Sequence, residues 1–474
     1  MTTSSADIYA KIAVANKAWS GRGMPDRCLL PECADSWAEL LRSLPGYDPF
    51  ATERDGLCFD VARAFQAIGF FHEYLRHIKG SFAGSPLWLE RWQQAFIANL
   101  FGWMREDGTR RYRRYMLYVP RKNGKTTLIA GVQLFVMLCD DEPGAEVYCG
   151  ASEREQARLL HDTCKAMVER EPDISERLKC YQYSIVDKKN HASFKVISAD
   201  AGTKHGFNVH SAIIDELHAM PNRNLYDVLE TGTGSRRQPL MGVITTADYE
   251  RPSVCNELHD HACSVRDGTL DDWQFLPAIY QAERDDDWQS EEVWAKANPN
   301  LGVSLSYDYM RTACQRAKME PSYQNMFLRL HLNIRTQQAE KWLDPMKWSA
   351  CGGDPGEPCG RIAVGVDIAS TEDFAAMATV WMDDDGVFGV RLRFWIPEEM
   401  CELRERKGIP VRAWRRDGWL TMTDGARIDY ETIRAAVREE CERYGVVSPA
   451  FDPWNAENIT QNLTKDGLDP IMYG

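Results

Sequence analysis

The sequence predicts an α/β protein: a parallel sheet with helices on its faces, entered through a helical preface and followed by a second, smaller α/β unit. Three observations carry that expectation. Between about Pro86 and Ala247, apolar runs of strand length alternate with longer runs of helix length, the pattern of strands joined by crossover helices. A stretch dense in glycine and proline, Cys351 to Gly360, then interrupts the pattern. Beyond it, Ile362 to Asp367 opens the alternation afresh.

The elements follow in order. Asp35 to Leu44 and Phe59 to Ile78 have the spacing of amphipathic helices, separated by the turn-rich Pro45-Gly46-Tyr47-Asp48-Pro49. Tyr115 to Val119 is a short apolar run of the kind that forms a buried strand, and Thr127 to Cys139 is apolar enough for a buried helix. Val147 to Cys149 is expected as a second strand and Glu153 to Arg170 as a second helix. Ser193 to Ile197, His210 to Ile214 and Leu240 to Thr245 supply further strands. Residues 248 to about 335 are expected to be mainly helical, including Trp288 to Ala297 and Tyr307 to Arg316. After the breakers, Ala376 to Met382 and Gly389 to Trp395 are strands, and the helix Tyr430 to Tyr444 leads to a strand at Val446 to Phe451. The expected organisation is 1–85 a helical lid region, 86–335 the first α/β domain, 336–360 a linker and 361–474 the second α/β domain, which ends while still incomplete.

Composition bounds the function. A chain of 474 residues with 44% hydrophobic and 27% charged residues can bury sizeable cores. No apolar run reaches the ~18–20 residues that span a bilayer, and the N-terminus lacks a signal-peptide pattern, so a cytoplasmic protein without membrane contact is expected. The 14 cysteines are scattered rather than spaced as a disulfide framework. A formal net charge of −14 excludes a general nucleic-acid coat but leaves room for local basic faces.

The strongest chemical signal is Arg121-Lys122-Asn123-Gly124-Lys125-Thr126 between a strand and a helix. Backbone N–H groups at a helix start hold phosphates, so Gly124, Lys125, Thr126 and Thr127 are expected to contact ATP, with Arg121 adding charge. Lys125 would neutralise the β- and γ-phosphates, and the Thr126 hydroxyl would bind Mg²⁺. The usual first glycine of such a loop is replaced by Val119. A second motif supports the first: the apolar run Val209 to Ile214 ends in Asp215-Glu216. Asp215 is expected to hold Mg²⁺ and Glu216 to act as general base toward the attacking water. Thr245 and Thr246, at the end of another strand, are placed to sense the γ-phosphate. Arg154 or Arg158, at the start of the second helix, is the candidate arginine finger; a solvated helix face is the alternative.

These motifs, in this order, resemble the large subunit of terminase, the DNA-packaging motor of tailed bacteriophages. The resemblance runs through Leu87-Trp88-Leu89-Glu90-Arg91-Trp92-Gln93, Pro120 to Thr126, Asp215-Glu216-Leu217-His218, Trp294 to Gly302 and Gly365 to Asp373. It implies a P-loop NTPase that translocates double-stranded DNA and an RNase H-like endonuclease that cuts it. It further implies a homo-oligomeric ring, a portal protein and a terminase small subunit as partners. Gln93 matches the family position that contacts adenine.

The nuclease would use two Mg²⁺ or Mn²⁺ ions held by carboxylates. Asp367 ends an apolar strand, as a first ligand should; Asp452 matches the family's second, and Asp373 is a supporting candidate. No residue matches the family's third acid, and Asp466 and Asp469 lie nearby without motif support, so weak or lost cleavage is expected. A catalytically defective DNA-binding or capsid-docking scaffold and a helicase-like ATPase are the rival readings; Lys125, Thr126, Asp215 and Glu216 argue against the first, the RNase H-like tail against the second. Two further clusters remain. Cys255, His259, His261 and Cys263 are too closely spaced for a known zinc finger and lie on an expected helix, where they would not face one way. Arg110-Arg111-Tyr112-Arg113-Arg114 is expected either to touch DNA phosphates or to be a solvated lead-in to the first strand.

Overall fold

The computed structural model describes residues 5–52, 54–80, 82–199, 206–337, 345–369, 373–406, 409–453 and 455–473. The chain divides into two compact units, Met1–Asp344 and Pro345–Gly474.

In the first unit, β1 (Leu57–Phe59) and β2 (Trp103–Arg105) form a small antiparallel pair. The main sheet contains β3 (Arg114–Tyr118), β4 (Glu146–Ala151), β5 (Leu178–Cys180), β6 (Ser184–Asp187), β7 (Ser193–Ser198), β8 (Val209–Asp215), β9 (Leu240–Thr245) and β10 (Phe275–Ile279), in the spatial order β10-β3-β9-β8-β4-β7-β6-β5. The run from β10 to β7 is parallel, and β6 and β5 close one edge antiparallel. The central strands read as continuous apolar runs because both faces are covered; every residue of β8 and β9 is buried.

The sheet is therefore mixed rather than purely parallel. The short hairpin β5–β6 carries too little apolar alternation to be legible. β10 lies in the stretch expected to be helical, yet its five residues are all buried and pair with β3. The helical preface is continuous with the sheet's core: Ile12, Trp37 and Phe71 belong to the same buried cluster as Leu117 and Val147.

The basic run before β3 is mostly turned into the fold rather than solvated. Arg110 is 2% exposed and meets both oxygens of Asp140 at 2.5 Å. Arg111 is fully buried; it donates to the carbonyls of Pro49 and Trp273, bonds Thr52 and stacks on Trp103 and Tyr112. Arg114 bridges Glu230 and Asp272. These guanidiniums tie the preface and the loops beneath the sheet together, with their charges satisfied inside the fold. The Cys/His cluster lies on the helix Val254–Arg266, where His261 turns to Asp272 and His259 to Gln281. Among the described residues no group of three His, Cys, Asp or Glu side chains is arranged to hold a metal, and no helix is long and apolar enough to cross a membrane.

The second unit is a six-stranded sheet. Its strands are β11 (Arg361–Asp367), β12 (Ala375–Met382), β13 (Phe388–Pro397), β14 (Leu420–Thr423), β15 (Ala450–Phe451) and β16 (Ile471–Met472), in the order β14-β13-β12-β11-β15-β16. β11, β12 and β13 run antiparallel to one another, whereas β14 lies parallel to β13, β15 parallel to β11 and β16 parallel to β15. The helix Tyr430–Tyr444 packs Ile433 and Val437 on one face, against Val364, Val366 and Met377. The strand expected over Val446 to Phe451 shrinks to two residues. Gly445 ends the helix in the left-handed conformation and the Val446 N–H returns to the Cys441 carbonyl, so the first residues of that stretch are spent on the cap.

Candidate functional site

β3 delivers the phosphate loop to the C-terminal edge of the sheet. The loop turns through two left-handed residues, Lys122 (φ 70°) and Gly124 (φ 79°), and Gly124 is the N-cap of the helix Lys125–Cys139. The helix N-terminus and its free backbone N–H groups thus point into a cleft of about 690 Å³. Arg121, Gly124, Lys125, Thr126 and Thr127 line it.

The loop is held from behind by asparagines. Asn123 is fully buried and its amide reaches the Pro120 carbonyl at 3.2 Å and Asn298 at 2.9 Å. Asn300 donates its backbone N–H to the Asn123 side chain and its amide to the Asn123 carbonyl, while accepting from the Trp92 indole at 2.7 Å. Ser304 caps the Lys122 carbonyl. The stretch Trp294 to Gly302 therefore acts as a brace that fixes the phosphate loop.

β8 ends opposite. Asp215 is 2% exposed and one of its oxygens has no hydrogen-bond partner. Burial pushes its carboxyl up to about 7, with Glu216 adding to the shift and Lys125 opposing it. Glu216 sits in a left-handed conformation (φ 52°), costly for a residue with a side chain and typical of functional sites; the bend turns its carboxylate out of the strand toward the loop. Glu216 lies 3.4 Å from the Lys125 ammonium and 3.3 Å from the His218 ring. Burial alone would raise its pKa, but the His218 hydrogen bond and the charges of Lys125, His218 and Arg121 outweigh it and hold the carboxyl down at about 2. Two adjacent acids are thus split by environment, with one ionised throughout the working pH range. The Lys125 ammonium, like the Asp215 oxygen, has no hydrogen-bond partner among the described residues. A buried ammonium and a buried carboxyl oxygen, neither hydrogen-bonded, across a cleft suit a phosphate and its cation.

His218 is the residue sequence reasoning missed. Its ring contacts Glu216 and, at 3.0 Å, the Thr245 hydroxyl, which also accepts from the His218 backbone N–H. The Thr246 hydroxyl lies 3.5 Å from the same ring nitrogen. Glu216 and the paired threonines are therefore joined through one imidazole. The signal was its position two residues after the acid.

The remaining nucleotide candidates divide. The Gln93 carbonyl caps its own helix by accepting from the Glu90 N–H, and its amide lies close to Gly124. Arg154 and Arg158 do not line the cleft; both guanidiniums stack over Tyr183, and Arg158 pairs with Glu155 and Asp162. Ser152, Glu153 and Gln156 line the opposite wall instead.

In the second unit, register brings two acids together. Val366 pairs with Phe451, and the Asp452 N–H donates to the Val366 carbonyl, so Asp367 and Asp452 leave adjacent parallel strands at the same edge. Both are exposed. Asp373 lies in the connection before β12 and pairs with Arg404 at 3.6 Å. Asp466 is committed to Arg434 through two bonds of 2.7 and 2.8 Å, which hold its carboxyl below the usual range. Asp469 is exposed on the approach to β16.

Comparison with known proteins gives a domain family for each part of the chain. Residues 91–263 match the model of the terminase large subunit ATPase domain, and residues 269–473 match that of the terminase large subunit endonuclease domain. The chain belongs to the terminase large-subunit family. It is 28% identical to the large terminase subunit of Enterobacteria phage HK97 over 414 residues, 86% of this chain and 80% of that protein. It is 31% identical to protein YmfN of Escherichia coli (strain K12) over 286 residues, 56% of this chain and 61% of that one. The crystal structure of the HK97 large terminase superposes with a TM-score of 0.51 at 27% identity, covering 87% of this chain and 85% of that one. The chain thus carries the ATPase and endonuclease domains of a terminase large subunit, with the DNA packaging and cleavage, and the use of ATP and metal, that those domains imply. The endonuclease match begins at residue 269, before β10, although β10 and the helices up to Leu332 belong to the first compact unit.

Proposed function

We propose that the cleft at Lys125 and Glu216 hydrolyses ATP to drive double-stranded DNA into a capsid, and that Asp367 and Asp452 form the site that cuts that DNA, with weak cutting because no third acid joins them among the described residues. The observation that carries the reading is the convergence of Lys125, Asp215 and Glu216 beneath the helix N-terminus, with no hydrogen bond to the Lys125 ammonium or to one Asp215 oxygen. Lys125 and the loop's N–H groups hold the β- and γ-phosphates, and Gln93 contacts the adenine. Thr126 and Asp215 hold a magnesium ion, which when bound neutralises phosphate charge. Glu216, kept ionised, accepts a proton from the attacking water. Thr245 and Thr246 relay the state of that site through His218.

Arg154 and Arg158 point away from their own cleft, which favours action on a neighbouring subunit in a homo-oligomeric ring. A portal protein and a terminase small subunit are the partners this reading requires. Residues 86–335 form the ATPase domain, with 1–85 as its lid region; 336–360 link it to the nuclease at 361–474. There, Asp367 and Asp452 are hard oxygen ligands suited to two Mg²⁺ or Mn²⁺ ions, with Asp373 supporting through Arg404.

The test is ATP turnover by wild type, Lys125→Ala and Glu216→Ala, with and without duplex DNA. Wild-type turnover that DNA stimulates and both substitutions abolish is expected. Equal turnover in all three would defeat the reading. Plasmid cutting with Mg²⁺ or Mn²⁺, lost in Asp367→Ala and Asp452→Ala while ATP turnover persists, tests the second site.

A further inference from the structure

The second unit holds an aromatic groove that neither proposed site uses. A cavity of about 1050 Å³ is lined by Trp348, Phe374, Phe394, Trp414, Trp419 and Leu420. Trp348 and Trp419 are each 66% exposed and Trp414 is 39% exposed. Indoles cost free energy when left in water, and a cluster of them facing one cavity marks a binding surface. Trp414 and Phe374 stand as a tilted pair with ring centroids 6.2 Å apart, leaving ring faces open to the cavity.

Two features decide what the groove receives. The first is charge. Trp414 lies on the short helix Val411–Arg416, which also presents Arg412, Arg415 and Arg416, and the Arg404 guanidinium lies over the Phe374 ring at 5.6 Å. The Arg412 and Arg415 guanidiniums have no ion-pair partner among the described residues, whereas Arg416 pairs with Asp417 at 2.9 Å, Arg404 with Asp373 at 3.6 Å, and Glu405 accepts from the Arg412 backbone N–H at 2.8 Å. A basic rim around aromatic walls, in a chain of net charge −14, suits a ligand with both flat rings and negative charge. Unpaired nucleotides have both.

The second is register. Asp367 pairs with Ala376, Ala376 with Phe394 and Phe394 with Leu420. Directly opposed residues project to the same face of a sheet. The groove floor and the Asp367 carboxylate therefore share one face, opposite the helix Tyr430–Tyr444. At a strand spacing of about 4.8 Å, Phe394 is roughly 10 Å and Leu420 roughly 14 Å from Asp367. That span is about three to four steps along one strand of a duplex, at about 3.4 Å per step.

We propose that the groove binds unpaired bases of the DNA strand held at Asp367 and Asp452, stacking them on Trp414 and Trp419 a few nucleotides from the scissile phosphate. The proposal rests on the cleavage reading above and names the substrate of that site: duplex DNA with a locally unpaired or single-stranded segment.

The test measures binding in EDTA, so that it does not depend on cutting. Full-length wild type, Trp414→Ala, Trp419→Ala and the Trp→Phe versions of each are titrated into fluorescein-labelled oligo(dT) and into a blunt duplex. Each alanine variant is expected to lose about tenfold or more in affinity for oligo(dT) and to bind the blunt duplex as wild type does. The phenylalanine variants are expected to retain most of the affinity, and the unfolding transitions of every variant, read by differential scanning calorimetry, to match those of wild type, which shows that the second unit is folded. Oligo(dT) affinity unaffected by the alanine substitutions, or lost equally on duplex, would overturn the proposal. So would self-association that depends on Trp419 with no oligonucleotide effect, which would make the groove a protein-docking surface. Asp367→Ala separates the two readings. It is expected to bind oligo(dT) normally while failing to cut; retained cutting would overturn the cleavage site and leave the groove's binding intact.

Discussion

Asn300 holds the phosphate loop from a point far along the chain, and its removal has a calculable cost. Its amide donates to the Asn123 carbonyl at 3.1 Å and to the Ser304 hydroxyl at 3.2 Å, and its oxygen accepts from the Trp92 indole at 2.7 Å. Asn300→Ala leaves two buried groups unpaired, the Asn123 carbonyl and the Trp92 N–H. Each orphan costs about 1–3 kcal/mol; the exposed loop beside Ser304 lets water recover part of this, so a loss of about 2–4 kcal/mol is expected. Urea unfolding monitored by tryptophan fluorescence reads that loss. Because the backbone N–H groups on Lys122, Asn123 and Gly124 lose their template, KM for ATP is expected to rise about tenfold or more, since each 1.4 kcal/mol of lost phosphate contact is a factor of ten. Trp92→Phe in the Asn300→Ala background removes one orphan, and the double variant is expected to be more stable than the sum of the single losses. Unchanged stability and unchanged KM in Asn300→Ala would show that the asparagine brace does not set the loop.

His218→Ala is expected to lower kcat about ten- to a hundredfold by releasing Glu216 from its aim, leaving KM unchanged; steady-state ATPase assays read the split, and a loss confined to KM would refute the role. Arg110→Ala strands the buried Asp140 carboxylate and is expected to cost about 3–5 kcal/mol in urea unfolding. Burial raises the Asp140 pKa, but Arg110 and His210 outweigh it and leave it depressed. The stabilisation is therefore fully present above the usual carboxylate pKa and lost as pH falls through the folded value; the difference between wild type and Arg110→Ala should shrink in acid, and one that is flat with pH would refute this. Gly131→Ala places a methyl group into the fully buried Phe71 ring and Leu75, and is expected to cost about 1–3 kcal/mol by overpacking; wild-type stability in the variant would show that the helix Val61–Tyr74 is free to move away.

What the sequence revealed and what it hid divide along contact range. The placement of Lys125, Thr126, Asp215 and Glu216 is legible because it follows from a strand end beside a turn, and a turn is written in consecutive residues. The Leu240–Thr245 strand and the helix Tyr430–Tyr444 appear where the apolar pattern puts them, since burial on one or both faces is a local demand on composition. Asn298 and Asn300 could be read only as a family-like stretch. Their function lies in hydrogen bonds to Asn123, more than 170 residues earlier, and no local pattern encodes a partner at that distance. The arginine run at 110–114 misled for the same reason. Five residues with four positive charges describe a surface unless Asp140, Glu230, Asp272 and the Pro49 and Trp273 carbonyls are known to surround them. The aromatic groove combines both cases. Trp414 and Trp419 are near neighbours in sequence, but their relation to Asp367 exists only through three strand pairings, so the likeness to a nuclease was visible well before the surface beside its acids.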